Sequence, residues 1–182
     1  MAFSFVFIDN TVKEKTMDII IKKAETEEEI KGKAYVHWKS WHEAYPDIVD
    51  PSYLTKLTLE KCEEIAFAFP DNLLIAKDHD RIIAFVSYGD CRDEDLSDTG
   101  EVYAIYVLEE YYGQGIGSRL MEAAMEELKD RSAIAVWVLK DNEKAIRFYE
   151  HQGFHSDGKE VIKKLGSPVA VIRMIRRKED VL

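Results

Sequence analysis

The hydrophobic and polar positions of the chain fall into short β-like runs and longer stretches with helical spacing. Three consecutive isoleucines within residues 18–23 predict a strand, and apolar residues at helical spacing after Thr26 predict a long helix. Thr26 and Glu29 have the spacing of a capping box, which predicts where this helix begins, and Pro46 ends it. A second helical stretch is predicted over residues 51–67.

After residue 70 the pattern changes to a series of short apolar runs, two of which are typical of a β-hairpin. The predicted elements are strands at 73–77 and 82–88, a polar acidic loop at 89–100, a strand at 101–108, a helix at 116–129, a strand at 133–139, a helix at 142–151 and a strand at 170–176. This order predicts an α/β fold, with one mixed, mostly antiparallel sheet of about six to seven strands flanked by about four helices. Residues 1–17 are predicted to be a loose N-terminal extension of a single domain, residues 18–182.

Composition and charge narrow the class of protein. A chain of 182 residues fits one domain, and a net charge of -10, from 35 acidic and 25 basic residues, argues against a nucleic-acid partner. No run approaches the roughly 20 apolar residues of a membrane span, and the apolar start lacks the features of a signal peptide, so no membrane partner is expected. Cys62 and Cys91 are expected to be reduced thiols in a cytoplasm. The five histidines do not pair with cysteines at ligand spacing, so no metal site is expected.

The strongest local feature is a glycine-rich turn between the predicted strand 101–108 and the helix that follows it. Residues 111–118 have the sequence Tyr-Tyr-Gly-Gln-Gly-Ile-Gly-Ser. Glycines allow a sharp turn and the close approach of an anion, and the free N–H groups of a helix start carry partial positive charge. This combination suits a phosphate group, although a tight strand–helix connection without a ligand is the alternative. A dinucleotide fingerprint is excluded because Ser118 stands in place of its third glycine, and a Walker loop is excluded because Gly-Lys-Ser/Thr is absent.

Two segments resemble the Gcn5-related N-acetyltransferase (GNAT) superfamily. The family's pyrophosphate motif, Arg/Gln-x-x-Gly-x-Gly/Ala, is similar to residues 112–117, with Gly115 and Gly117 as its glycines and Tyr112 in place of Arg or Gln. Residues 142–154, Asn-x-x-Ala-x-x-Phe-Tyr-x-x-x-Gly-Phe, are similar to a second family segment in the same order along the chain.

The resemblance implies a GNAT-like fold and an acetyl-CoA-dependent N-acetyltransferase. The acetyl group would pass by direct attack to a primary amine of a small molecule or peptide, with acetyl-CoA as co-substrate. With Tyr112 in place of Arg or Gln, one side-chain contact to the phosphates is lost, whereas the backbone N–H groups remain. The residues implied in cofactor binding are Ile105, Tyr106, Val107, Tyr112, Gly113, Gln114, Gly115, Ile116, Gly117, Ser118 and Asn142.

Two side chains are candidates for proton transfer. The resemblance implies that Tyr149 protonates the leaving CoA sulfur, and a phenol with a pKa of about 10 carries its proton at neutral pH. An alkylamine with a pKa of about 10.4 must lose a proton before it attacks, and Glu101 is the candidate base for that proton, directly or through water. The structural alternatives are a packing role for Tyr149 and an exposed strand-end carboxylate for Glu101.

The acceptor site of the family opens near the end of the first long helix. His42 and Tyr45 are the candidates for substrate contact there, whereas Trp38 and Trp41 are expected in the core at their spacing. The acidic loop is expected either to attract a cation or to be solvated. A rival function on the same fold is a CoA-binding sensor or scaffold without turnover, and the presence of both Asn142 and Tyr149 favours the enzyme. The sequence leaves open the acceptor amine and the number of subunits, for which a homodimer is one option.

Overall fold

The computed structural model describes residues 18–181, and the predicted extension 1–17 lies outside them. The strands are β1 Ile19–Lys23, β2 Leu73–Asp78, β3 Arg81–Asp90, β4 Thr99–Val107, β5 Ala133–Leu139, β6 His155–Leu165 and β7 Ser167–Arg177. The α-helices are α1 Glu27–Ala44, α2 Pro51–Lys56, α3 Leu59–Ala68, α4 Ile116–Glu127 and α5 Glu143–His151. Short 3-10 helices follow β4 at Glu109–Tyr111 and β7 at Lys178–Val181. Among the described residues, seven strands and five α-helices confirm the predicted fold class.

The strands form one sheet in the order β1-β2-β3-β4-β5-β7-β6. Of the neighbouring strands described, only β4 and β5 run parallel, and their pairing extends from Thr99–Ala133 to Val102–Val136. Beyond that point β4 continues to Val107 and β5 to Leu139 without pairing with each other. The sheet therefore splits in its middle, at the carboxyl ends of its two parallel strands.

A β-bulge lies where the two strands separate. Ala104 of β4 pairs with Ser87 of β3, and Val102 pairs with Tyr88, so Tyr103 is an extra residue in β4. A bulge bends its strand and increases the local twist. The bend in β4 thus coincides with the start of the split.

The predicted start of α1 is confirmed by its cap. The hydroxyl of Thr26 accepts a hydrogen bond from the backbone N–H of Glu29 at 3.2 Å. The carboxylate of Glu29 accepts from the N–H of Glu25 at 2.8 Å, one residue before the partner of a standard capping box. Lys22 and Lys77 also contact this buried carboxylate, so Glu29 ties α1 to the first two strands.

Two sequence expectations are corrected by the structure. The stretch 51–67 is not one helix, because the chain breaks after Lys56 and Thr58 caps a new helix by accepting from the N–H of Lys61 at 3.2 Å. Strand β6 was not predicted, and β7 begins at Ser167 rather than at residue 170. β6 is an edge strand with mostly exposed side chains, including several lysines, and so lacks the apolar pattern of a buried strand.

Apolar side chains from β2 to β5 and from α4 form the main core, with Phe85, Leu120, Met121 and Phe154 among its fully buried members. A smaller cluster joins α1 to α3 around Ala34 and Cys62. None of the helices in the described part of the chain is long and apolar enough to cross a membrane.

Candidate active site

The glycine-rich turn presents free backbone donors at the start of α4. Gly113 and Gly115 have φ values of 75° and 74°, in the left-handed region that favours glycine. Gly115 is the N-cap residue, and the first helical hydrogen bond runs from the N–H of Arg119 to its carbonyl at 3.1 Å. Among the described residues no acceptor binds the three N–H groups before it, those of Ile116, Gly117 and Ser118. A β-carbon at position 113 or 115 would meet nothing within 4 Å, so the turn is open to an approaching anion.

Gly117 and Ser118 have a different environment, since they connect α4 to α5. A β-carbon at Gly117 would lie 3.4 Å from the ring of Phe148 and 3.7 Å from Val107. The hydroxyl of Ser118 accepts a hydrogen bond from the Gln152 amide at 3.0 Å. The two segments that carry the family resemblance therefore pack directly against each other.

Tyr112 lies at the other end of the turn and is 37% exposed. The ammonium nitrogen of Lys144, from the first turn of α5, lies 4.1 Å from the centroid of its ring. Burial raises the pKa of the Tyr112 phenol, and the nearby carboxylates of Glu43 and Glu109 add to the effect. Gln114 donates to the carbonyl of Glu110 at 3.4 Å, within the same turn.

Three tyrosines from distant parts of the sequence lie near one another beside the split, close enough to affect each other's pKa. Tyr45 ends α1, Tyr106 lies on β4 and Tyr149 lies on α5. Burial raises the pKa of the Tyr45 phenol, while the neighbouring side chains of Tyr106 and Asn142 act to lower it. Asn142 is the N-cap of α5, and its side-chain oxygen accepts from the N–H of Ala145 at 3.0 Å. The predicted residues Tyr45, Asn142 and Tyr149 are thus brought together around Tyr106.

Tyr149 is 8% exposed and packs edge-on against Phe148 and Phe154, at centroid distances of 5.4 and 6.0 Å. Burial raises the pKa of its phenol well above the usual value, and the neighbouring Tyr45 adds to the shift. The hydroxyl therefore keeps its proton across the physiological pH range. The hydroxyl forms no hydrogen bond with the described residues, and these residues do not fully enclose it. It is therefore free to donate a hydrogen bond to a ligand.

Trp41 packs against the smaller core cluster, as the sequence predicted, and also belongs to this site. Its indole N–H donates to the Tyr106 hydroxyl at 2.8 Å, and its ring packs against Tyr45 at 4.8 Å and Tyr53 at 5.7 Å. His37 stacks on Tyr106 at 5.7 Å, and burial, assisted by Lys33, lowers its pKa to about 4. These residues show no sequence signal that separates them from ordinary core aromatics.

Glu101 is 1% exposed, so the alternative that it is an exposed carboxylate at a strand end is wrong. It lies in the paired part of β4, opposite Ala135 of β5. One carboxylate oxygen accepts from the backbone N–H and the Nε of Arg92 at 3.1 and 3.2 Å, and the other binds a terminal nitrogen of the same guanidinium. The guanidinium also lies 4.5 Å from the ring centroid of Tyr103, the bulge residue.

His42 contacts the protein through both ring nitrogens. Nδ1 lies 2.8 Å from the carbonyl oxygen of Trp38, and Nε2 lies 3.1 Å from that of Leu54. The imidazole therefore connects α1 to α2, while Tyr45 is the member of the predicted acceptor pair that reaches the tyrosine cluster.

The acidic loop is held by cations of the protein itself. Arg173 of β7 is 4% exposed, and its guanidinium binds Asp93, Asp95 and Asp157 at distances between 2.6 and 3.0 Å. The indole N–H of Trp137 donates to Asp93 at 3.0 Å. Most side chains of the loop are nevertheless exposed, as expected of a solvated loop, while Asp93 and Asp95 neutralise a buried guanidinium of the protein itself.

Comparison with known proteins identifies the family. The sequence model of the Acetyltransferase (GNAT) family matches residues 35–154. The chain is 35% identical over 127 residues to the uncharacterized N-acetyltransferase YuaI of Bacillus subtilis, across 68% of this chain and 73% of that protein. It is 34% identical over 91 residues to N-alpha-acetyltransferase 30 of Schizosaccharomyces pombe, across 47% of this chain and 59% of that protein. The chain therefore belongs to the acetyltransferase (GNAT) family.

A solved structure shows the same fold. The PaiA N-acetyltransferase from Thermoplasma acidophilum, in complex with coenzyme A, aligns over 88% of this chain and 99% of that one. The TM-score is 0.67 at 22% sequence identity. The resemblance to the superfamily and the class of enzyme, an N-acetyltransferase, are thereby confirmed.

Proposed function

We propose that this chain transfers the acetyl group of acetyl-CoA by direct attack to a primary amine of a small molecule or peptide. The observation that carries the proposal is the meeting of Tyr45, Tyr106 and Tyr149 beside the split between β4 and β5. The unpartnered N–H groups at the start of α4 lie close to the split, because Gly117 of α4 packs against Val107 of β4 and Phe148 of α5. The proposal therefore places a proton donor and an anion site in one cleft.

Acetyl-CoA fits the donor groups of this cleft. The N–H groups of residues 116–118 suit its pyrophosphate. Residues 105–107 pair with β3 but have no described strand partner on the β5 side, and the backbone groups on that side suit the amides of the pantetheine arm, with Asn142 proposed to lie beside that path. When bound, it supplies an activated acetyl thioester.

Tyr149 gives the proton that balances the reaction. The amine nitrogen forms a bond to the acetyl carbon, the carbon–sulfur bond breaks, and the Tyr149 hydroxyl donates its proton to the departing sulfur. The surplus proton of the amine passes to a base, and the tyrosine recovers a proton from solvent. Its raised pKa keeps the hydroxyl protonated at the start of each turnover and also makes it a weaker acid toward the departing thiolate.

Glu101 is the proposed base, acting through water. Both of its oxygens accept hydrogen bonds from Arg92, which leaves little direct access for an amine. Arg92 itself is largely exposed, so solvent reaches the pair from that side. A water chain from the cleft to Glu101 would carry the proton out of the site.

The N-terminal amine of a peptide is one acceptor class to test, because one relative is an N-alpha-acetyltransferase. A panel of small amines, and peptides with free or blocked N-termini, would be mixed with acetyl-CoA while free thiol is measured. Release of thiol that depends on a free amine, and that is greatly reduced in Tyr149→Phe, is the expected result. Binding of CoA without thiol release from any amine would instead favour the sensor or scaffold alternative.

A further inference from the structure

Lys144 is a cation without a carboxylate partner at the edge of the glycine-rich turn. The neighbouring cations are paired, Lys140 with Glu160 at 2.7 Å and Arg147 with Glu143 at 3.0 Å. Lys144 forms no ion pair with the described residues, and its ammonium nitrogen lies 4.1 Å from the centroid of the Tyr112 ring.

The place of Lys144 in α5 is unfavourable for a positive charge. It is the second residue after the N-cap Asn142, where the helix dipole already carries partial positive charge. A cation–π contact with Tyr112 offsets part of this cost and orients the ammonium toward the turn. An anion between the two helix starts would remove the remaining cost.

The turn itself contains no side chain with a full positive charge. Residues 109–118 contain two glutamates and neither lysine nor arginine. Arg119, the first basic residue after them, donates to the carbonyl of Ile19 on β1 at 2.9 Å. Arg81 is paired with Glu110 at 2.7 Å.

We infer that Lys144, held in place by the ring of Tyr112, provides the positive charge that neutralises the pyrophosphate of acetyl-CoA. The inference rests on the proposed function. The charge comes from α5 rather than from position 112, where the family motif has Arg or Gln and this chain has an aromatic ring. Tyr112 is thus a positioning residue for Lys144.

Calorimetric titration of the purified chain with CoA and with dephospho-CoA, which lacks the 3′-phosphate, tests the inference. Lys144→Met keeps the length of the side chain and removes its charge, and Lys140→Met is the matched control on a paired lysine. We expect Lys144→Met to weaken both ligands by about tenfold, with a shallower dependence on salt, and Lys140→Met to bind as the wild type does. Melting curves without ligand confirm that each variant is folded.

The role of Tyr112 is tested by a double-mutant cycle. Tyr112→Phe keeps the ring and should keep the affinity, whereas Tyr112→Leu should weaken binding. Because the ring acts through the lysine, Tyr112→Leu should have little further effect in the Lys144→Met background.

Three results would overturn the inference. Unchanged affinity in Lys144→Met would show that the lysine does not contact the cofactor. A loss seen with CoA but not with dephospho-CoA would assign the lysine to the 3′-phosphate instead. Failure of the wild-type chain to bind either ligand would reject the proposed function, and with it the inference. Failure of the inference alone would leave binding by the wild-type chain intact.

Discussion

The indole N–H of Trp41 donates a 2.8 Å hydrogen bond to the hydroxyl of Tyr106, and so joins α1 to the strand that borders the split. Tyr106 contacts Tyr45, which in turn contacts Asn142. The proposed acceptor side and the proposed cofactor side of the cleft are therefore linked through these polar side chains in an otherwise aromatic environment.

Trp41→Phe should impair catalysis more than folding. The substitution keeps an aromatic ring but removes the donor that orients Tyr106, and kcat/KM should fall by about tenfold. Steady-state kinetics with the best amine of the panel measures the effect. Trp38 packs against the same small core cluster as Trp41 but does not bind Tyr106, so Trp38→Phe should lower the melting temperature without a selective loss of activity. Equal kcat/KM in Trp41→Phe and wild type would contradict the role of the network.

Gly115→Asp should abolish the rise in melting temperature that CoA produces, because a carboxylate at this open position repels the phosphates. Gly115→Asn is the matched control, since both residues tolerate a positive φ and have similar size. The asparagine variant should keep more of the shift, as measured by thermal denaturation with and without CoA. Equal shifts in the two variants would argue against an anion at this turn. Gly117 is a poorer test, because a larger side chain there meets Phe148 at about van der Waals distance.

Tyr149→Phe should lower kcat by roughly 10²–10⁴ while the affinity for CoA stays unchanged. The ring and its packing against Phe148 and Phe154 remain, and only the transferable proton is lost. A thiol with a pKa of about 8.5 leaves fairly well as a thiolate, so we expect the lower end of this range. Turnover at the wild-type rate, when chemistry is rate-limiting, would make Tyr149 a packing residue.

Glu101→Gln should cause a defect that depends on pH. Near neutral pH most of an alkylamine acceptor is protonated, and loss of the base should reduce kcat/KM. As pH rises toward the pKa of the amine, more acceptor enters already deprotonated, and the ratio of wild-type to variant activity should shrink. A ratio that is constant across the pH range would assign Glu101 and its Arg92 ion pair to structure alone.

Glu29 should make the folded state less stable at low pH. Although its burial acts in the opposite direction, hydrogen bonds from the Glu25 N–H and Lys22 lower its pKa from 4.5 to about 2. A lowered pKa in the folded state adds stability above about pH 4.5, which is lost as the pH falls toward about 2. Urea unfolding should therefore show a steeper loss of stability in acid for wild type than for Glu29→Gln. Glu27→Gln, in the same helical turn but exposed, should follow the wild-type curve.

Local features of the sequence predicted much of the fold and part of the site. Glycines at positions 113 and 115 predict a turn with positive φ, and Thr26 predicts the start of a helix. Both features could be predicted because each depends only on nearby residues. Two contacts could not be predicted, because they depend on how separate segments pack together: the pairing of Glu101 with Arg92 and the contact of Trp41 with Tyr106. In the sequence these residues have the spacing of ordinary core or surface residues.

The missed elements have physical causes of the same kind. Strand β6 is stabilised by its partner β7 rather than by burial of an apolar face, so its sequence resembles a polar loop. The break before α3 depends on Thr58 competing successfully as a cap within a continuous helical pattern. Tertiary pairing decides the local structure in the first case, and a local cap decides it in the second.

The split between β4 and β5 also has a mechanical meaning. The two halves of the sheet are joined directly by four residue pairs, from Thr99–Ala133 to Val102–Val136. Beyond these pairs no strand pairing among the described residues connects the two halves. A narrow ligand bound between the two halves would contact both and hold the angle between them fixed. Binding in the cleft should therefore make the sheet more rigid.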